Sequence, residues 1–148
     1  RNVWGQGEFP FLYVQKPSGG GCAWDKSNPT NRMAEDFSAL PATPHQGNAG
    51  DYRAHHVGIM QHPGTAMVTA RDLGSGIHPR NKSGYGHRAA RVAVGFAYGQ
   101  DVELYGPIYA SHKVDGDKIR VQFTHVNAGL AFKHGDALKG FAVAGKDG

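Results

Sequence analysis

Two apolar runs on either side of a helical stretch narrow the fold of this chain more than any other feature. "FPFLYVQ" (residues 9–15) lies between Gly7 and the trio Pro17, Ser18 and Gly19, and "TAMVTARDL" (residues 65–73) follows the turn formers His62, Pro63 and Gly64. Each run is short, apolar and fenced by turn residues, the pattern of a buried strand. Between them, residues 51–61 carry Tyr52, His56, Ile59 and Met60 on one side of a helix. Strand, helix, strand over this span predicts a βαβ unit with parallel strands, and hence an α/β fold. The connection exceeds a minimal crossover. Residues 16–50 hold Gly19, Gly20 and Gly21 together with Pro17, Pro29, Pro41 and Pro44. We expect an insertion there over one end of the sheet, with a short helix begun by Asn28 and Pro29 and lined by Met33, Phe37 and Leu40.

A second helix is predicted over residues 80–98. Tyr85, Ala89, Val92, Ala93 and Phe96 recur at helical spacing, Arg88 and Arg91 fall on the other side, and Gly99 supplies the stop. Pro79 suits a first turn, where its missing N–H would have no partner anyway. The small side chains of Ala89, Ala90, Ala93 and Ala97 allow close approach to a sheet. After Gly99 the pattern changes to short strand-like runs at residues 101–111, 117–126, 128–133 and 138–145. Ile119, Val121 and Phe123 alternate with Arg120, Gln122 and Thr124, as in a strand with one wet face, and Asp115 with Gly116 signals a hairpin. The expected division is therefore an α/β part over residues 1–100, with its insertion at 16–50, and a β-rich part over 101–148.

The 16 Lys and Arg against 12 Asp and Glu give a net charge of +4, but the cations are scattered and form no nucleic-acid patch. No nucleic-acid partner is expected. No apolar run approaches the ~20 residues of a membrane span, so no membrane partner is expected either. A single cysteine, Cys22, excludes an internal disulfide. The chain opens on "RNVWGQGEFPF" and stops in "GFAVAGKDG", and both ends are expected to be cuts in something longer.

In open α/β sheets, ligands gather beyond the carboxyl ends of the strands. A strand ending near Leu73 delivers Gly74, Ser75, Gly76, Ile77 and His78 to that edge. The pKa of histidine lies near neutrality, so His78 suits proton transfer from a hydroxyl, with Asp72 six residues upstream as an orienting acid. Spacing alone favours a plainer role for His78, capping the helix or bonding a backbone carbonyl. Cys22 beside its glycines has the makings of a nucleophile but lacks a nearby base in sequence. His45, His55, His56 and His62 have no carboxylate or Cys to complete a ligand spacing, so no metal and no cofactor is expected. Trp4, Trp24 and Tyr13 have rings suited to stacking on sugars, although core packing is the commoner use.

Three stretches, "VWGQGEFPFLYVQ", "TAMVTARDLGSGIHPRNK" and "LYGPIYASHKVDGDKIRVQF", resemble in that order the C-terminal half of bacterial sialate O-acetylesterases, of the SGNH (GDSL-like) hydrolase superfamily. The resemblance is weak across residues 16–50. It implies part of a flavodoxin-like, three-layer parallel sheet followed by the start of a β-sandwich-like segment. It also implies a serine esterase that removes acetyl groups from sugar hydroxyls in the periplasm or outside the cell. His78 matches the family's general base, and Asp72 matches the Asp of its "DLG" segment. Many relatives carry Asp closer to the His, where this chain has Ser75 and Gly76, so a Ser-His dyad aided by a backbone carbonyl stays open beside a triad with Asp72. The family's nucleophilic Ser and its "Gln-Gly-Glu-Ser-Asn" stretch lie upstream and are not in this chain. The expected partners are an O-acetylated sugar, with Trp24 and Tyr52 as candidate contacts, and the missing N-terminal half. The isolated chain is expected to be inactive. The rival reading is a non-catalytic carbohydrate-binding or structural module using Trp24 and Tyr52.

Overall fold

The computed structural model describes residues 1–15, 49–73, 78, 81–131, 141, 143 and 145. The expected helix after Asn28, the residues Trp24, Cys22, His45, Ser75 and Pro79, and most of the runs after residue 131 lie outside them. In chain order the described elements are β1 (Phe11–Val14), α1 (Ala49–Ile59), β2 (Thr65–Val68), α2 (Lys82–Val92), β3 (Ile108–Asp115) and β4 (Lys118–Thr124). They make a mixed α/β arrangement with one two-stranded parallel sheet and one two-stranded antiparallel sheet.

β1 and β2 are parallel, with Phe11 opposite Thr65 and Val14 opposite Val68. Their pairing continues past the strands, since Gln15 N–H donates to the Val68 carbonyl at 2.9 Å. β2 is buried on both faces: Ala66, Met67 and Val68 expose no more than 1% of their surface. Such two-sided burial is the habit of a parallel strand. β1 is less covered, with Phe11 and Val14 each about half exposed. α1 runs antiparallel to the strands, and hydrogen bonds from one residue of each strand fix its direction. Thr65 Oγ1, at the amino end of β2, donates to the carbonyls of Ile59 (3.0 Å) and His62 (2.7 Å). Tyr13, two steps further along β1, donates its hydroxyl to the His56 carbonyl. The same two carbonyls also accept from the backbone N–H groups of His62 and Thr65, so the Thr65 hydroxyl reinforces the turn that follows the helix.

α2 and the turn that follows it lay Ala89, Val92 and Phe96 against the core of Ala66 and Val68, the face that periodicity predicts. Its start differs from the expected residue 80. Asn81 is the N-cap and accepts from Gly84 N–H at 2.9 Å, so the helix begins at Lys82. After Val92 the chain widens into a π turn over Ala93–Ala97 and stops at Gly99, whose φ of 68° favours glycine. Gly95 matters here for a different reason. A Cβ at this position would collide with the Leu104 side chain and come within 2.9 Å of Val102 Cγ2, so the returning chain packs directly on glycine backbone.

The strand expected from residue 101 begins only at Ile108. The reason is packing: Leu104, Tyr105 and Ile108 close the same core that Ala66, Val68 and Val92 build. The Tyr105 hydroxyl hydrogen-bonds the Met67 backbone, and burial, only partly offset by that bond, pushes its pKa up. Burial likewise drives Tyr13 up to about 12, reinforced by the neighbouring Tyr105. Beyond this seam the β3 and β4 hairpin turns at Gly116 (φ 63°), with Asp115 opposite Lys118 and a bulge between Tyr109 and Ser111. Ile119, Val121 and Phe123 share one face with Val114, His112 and Tyr109, while Arg120 and Gln122 pair with Lys113 and Ser111 on the other. The expectation of a single wet face is not met, since Ile119, Val114 and Tyr109 are exposed as well.

Candidate active site at the carboxyl edge

Past Val68 the chain makes a tight turn in which Leu73 N–H donates to the Ala70 carbonyl at 3.1 Å. Ala70 and Leu73 are fully buried, which pins this short segment to the end of the sheet. Asp72, between them and the rim, stays partly accessible. Both of its carboxylate oxygens are held by Arg88, from Nη1 at 2.6 Å and Nη2 at 2.7 Å, and the same Nη1 donates to the Thr69 carbonyl at 2.9 Å. The outward placement of Arg88 predicted from helical periodicity is thus corrected. The guanidinium bends back over the sheet edge because a carboxylate and a carbonyl beyond β2 offer it three acceptors. The fork is bidentate and half out of water, at 22% side-chain exposure for Arg88 and 36% for Asp72, so solvent screens it less than a surface pair.

His78 is exposed and stands three residues before the cap Asn81. Capping belongs to Asn81, so the plainer role of helix cap does not fall to His78. No hydrogen bond joins His78 to Asp72 among the described residues. Asp72 nonetheless keeps acceptor capacity, because an ionised carboxylate offers about four lone-pair sites and the fork uses two. Beside the pair sits Tyr85. Its hydroxyl is buried with no hydrogen-bond partner among the described residues, and its pKa is raised by burial, with Arg88 opposing and Asp72 adding to the shift. The Lys82 ammonium lies 5.7 Å from the Tyr85 ring centre.

Tyr52 projects from α1 with its ring about half exposed and packed edge-on to His56 at 4.6 Å. It lies four residues before His56, toward the carboxyl edge, about 6 Å further along the antiparallel helix. Trp24 lies outside the described residues. The sequence reading missed Arg88, and it missed two buried polar residues at this edge, Gln15 (6% exposed) and Asn81 (0%). Asn81 carried a usable signal, a cap residue ahead of a helical run, which the proline at 79 obscured. Nothing local announces that Arg88 and Asp72, sixteen residues apart, form a pair. A cavity of about 300 Å³ lined by Arg1, Trp4, Phe9, Phe11, His62, Pro63 and Thr65 lies at the opposite, amino end of the strands, away from Asp72. Among the described residues, no three His, Cys, Asp or Glu side chains gather as a metal site, and no helix is long and apolar enough to cross a membrane.

The described residues past β2 thus hold a carboxylate, Asp72, braced by Arg88, and His78 further along the chain is accessible. Among solved structures the chain is similar to a carbohydrate acetylesterase from Xanthomonas citri, with 26% identity and a TM-score of 0.67 over 93% of this chain. It spans 28% of that protein's chain. No protein-family model matches, and no curated protein matches significantly.

Proposed function

We propose that this chain is the C-terminal part of the catalytic domain of a carbohydrate O-acetylesterase, sialate-type and of the SGNH class, together with the start of its β-rich domain beyond residue 100. The observation that carries the reading is the likeness over 93% of the chain to a carbohydrate acetylesterase, combined with an exposed His78 in the stretch between β2 and α2. In this reading β1 and β2 belong to a larger three-layer sheet, and the remaining strands come from the rest of the polypeptide. That remainder supplies a serine and the donors for the oxyanion. The serine oxygen attacks the acetyl carbonyl while its proton passes to the His78 imidazole. Collapse of the tetrahedral intermediate breaks the ester bond, and His78 returns the proton to the departing sugar oxygen. Water, deprotonated by His78, then releases acetate from the serine. Asp72, fixed by Arg88, is the candidate carboxylate that orients His78 through its free lone pairs, and Tyr52 and Trp24 are the candidate sugar contacts. A periplasmic or secreted location suits such an enzyme.

The test is acetate release from O-acetylated sialic acid and from other acetylated sugars by the full-length protein and by its His78→Ala form. Removal of the base is expected to lower kcat by about three orders of magnitude or more. Full activity in the His78→Ala form, or none in the native protein on any acetylated sugar, would remove the esterase reading and leave a binding or structural module. The 148-residue chain alone is expected to be inactive.

A further inference from the structure

We propose that the cavity at the amino end of the strands is a secondary carbohydrate site, which holds a neutral sugar unit of a longer glycan. The choice of a sugar rests on the carbohydrate-esterase reading, whereas the site itself rests on the cavity. It measures about 300 Å³ and lies where Phe11 and Thr65 begin β1 and β2. Its lining combines three aromatic rings, Trp4, Phe9 and Phe11, with two polar side chains, Arg1 and His62. Mostly apolar walls with a few fixed polar groups are what small-ligand sites have. These walls are fixed before any ligand arrives. The Trp4 N–H donates to the Arg1 carbonyl at 2.9 Å, and the Trp4 ring meets Phe9 edge-on at 6.2 Å. The Arg1 guanidinium lies 5.9 Å from the Phe9 ring centre, and its Nη1 donates to Glu8 Oε2 at 2.7 Å. Its Nη2 packs on Gly64, where any Cβ would come within 2.4 Å, so glycine at this position admits the guanidinium and docks residues 1–9 on the turn before β2. Yet Trp4 stays 67% exposed and Phe11 about half exposed. Two large rings left in water at one rigid cavity mark a binding surface.

The polar groups select the occupant. Glu8 answers the charge of Arg1, and its exposed carboxylate disfavours a second anion. A carboxylate with spare lone pairs accepts, and an imidazole both donates and accepts. Hydroxyl groups need such partners and an apolar peptide does not. A sugar brings hydroxyls around a ring whose C–H face stacks on an aromatic. Substrates of open α/β sheets gather at the carboxyl edge. The four-residue strands alone hold the two edges about 13 Å apart, so one sugar does not reach both, and the occupant is another unit of the same glycan.

The experiment titrates short galacto-, manno- and xylo-oligosaccharides into the full-length protein by calorimetry. At least one is expected to bind, with amide hydrogen exchange slowed at residues 5–9 and 62–65. Trp4→Ala is expected to weaken that binding on the order of tenfold, and Trp4→Phe to recover part of the loss. Val3→Ala, outside the cavity although almost fully exposed, is expected to match the native protein. Free sialic acid is expected to show no binding that depends on Trp4. Binding that Trp4→Ala leaves unchanged, a loss that Val3→Ala shares, or binding of none of the three sugars overturns the proposal. So does a Trp4 that acrylamide cannot quench in the ligand-free full-length protein, because the rest of the polypeptide then fills the cavity. Trp4-dependent binding without acetate release from any acetylated sugar upholds the site and rejects only the esterase reading. Acetate release without Trp4-dependent binding rejects only the site.

Discussion

Substituting Gly95 by Ala sets two opposite effects against each other, and their sizes are readable from the packing. Within a helical stretch, alanine in place of glycine stabilises by about 1 kcal/mol, because the unfolded glycine has more conformations to lose. At Gly95 the new methyl would stand closer to the Leu104 side chain than atoms tolerate, and 2.9 Å from Val102 Cγ2. Overpacking of this kind costs about 1–3 kcal/mol. Both obstructing atoms are side-chain ends, so some relief is available, but Leu104 is wedged against the core of Ala66, Val68 and Val92. The clash therefore outweighs the propensity gain, and Gly95→Ala is expected to be destabilising by about 1 kcal/mol. Gly86, in α2, has nothing within 4 Å of its would-be Cβ. Gly86→Ala should gain the propensity term alone, so the difference between the two variants isolates the clash at about 1–3 kcal/mol. Urea midpoints followed by far-UV circular dichroism measure it, with thermal midpoints expected to separate by a few degrees for a chain of this size. Equal stabilisation by both substitutions would refute the reasoning, because it would mean that residues 102–104 do not pack against the π turn.

Two further outcomes follow from buried phenols. Tyr85→Phe should leave stability unchanged or raise it by up to about 1 kcal/mol, since the hydroxyl is buried without a partner among the described residues; a clear loss in the same urea assay would reveal a bond to that oxygen. Tyr13 has a folded pKa raised from 10.0 to about 12, so the native state keeps a proton that the unfolded chain gives up. Its contribution to stability is fully present below pH 10 and is lost as the pH rises through about 12. The difference in absorbance at 295 nm between the native chain and Tyr13→Phe should titrate near the upper value, and a midpoint near 10 would contradict the burial argument.

The parts of the fold that were legible in the sequence are those whose signal is local. The two parallel strands announced themselves as apolar runs between turn residues, α2 as a 3.6-residue rhythm, and the hairpin as Asp115 and Gly116 between alternating runs. Boundaries slipped where a distant partner decides. β2 was expected to reach residue 73 but ends at Val68, where the chain turns and the Thr69 carbonyl accepts from Arg88. The strand expected from residue 101 starts at 108 because Leu104 and Tyr105 are spent on sealing the α/β core. The candidate site divides in the same way. His78 was visible because a His followed by Pro just ahead of a helical run is unusual in itself. Arg88 was invisible, because amphipathic periodicity assigns a side chain to a side of its helix and says nothing of a long guanidinium that folds back over the rim.

The unequal covering of the two parallel strands bears on the chemistry proposed for this edge. β2 is sealed on both faces, while β1 leaves Phe11 and Val14 half exposed. A two-stranded parallel sheet is a poor structure by itself, since parallel sheets occur almost only where both faces are covered. On the esterase reading, the elements that would cover β1 belong to the same sheet, and their carboxyl ends open on the same side as His78. The nucleophile would come from there, because loops at the carboxyl ends of parallel strands converge on one edge. Covering β1 and completing the active site would then be one event, in which the apolar area buried on Phe11 and Val14 holds the serine within reach of the imidazole. This links a stability measurement to a catalytic one. Polar substitution of Phe11, at the amino end of β1 and away from the carboxyl edge, should lower both the stability of the full-length enzyme and its kcat, while the 148-residue chain by itself, with Phe11 already half in water, should feel it far less.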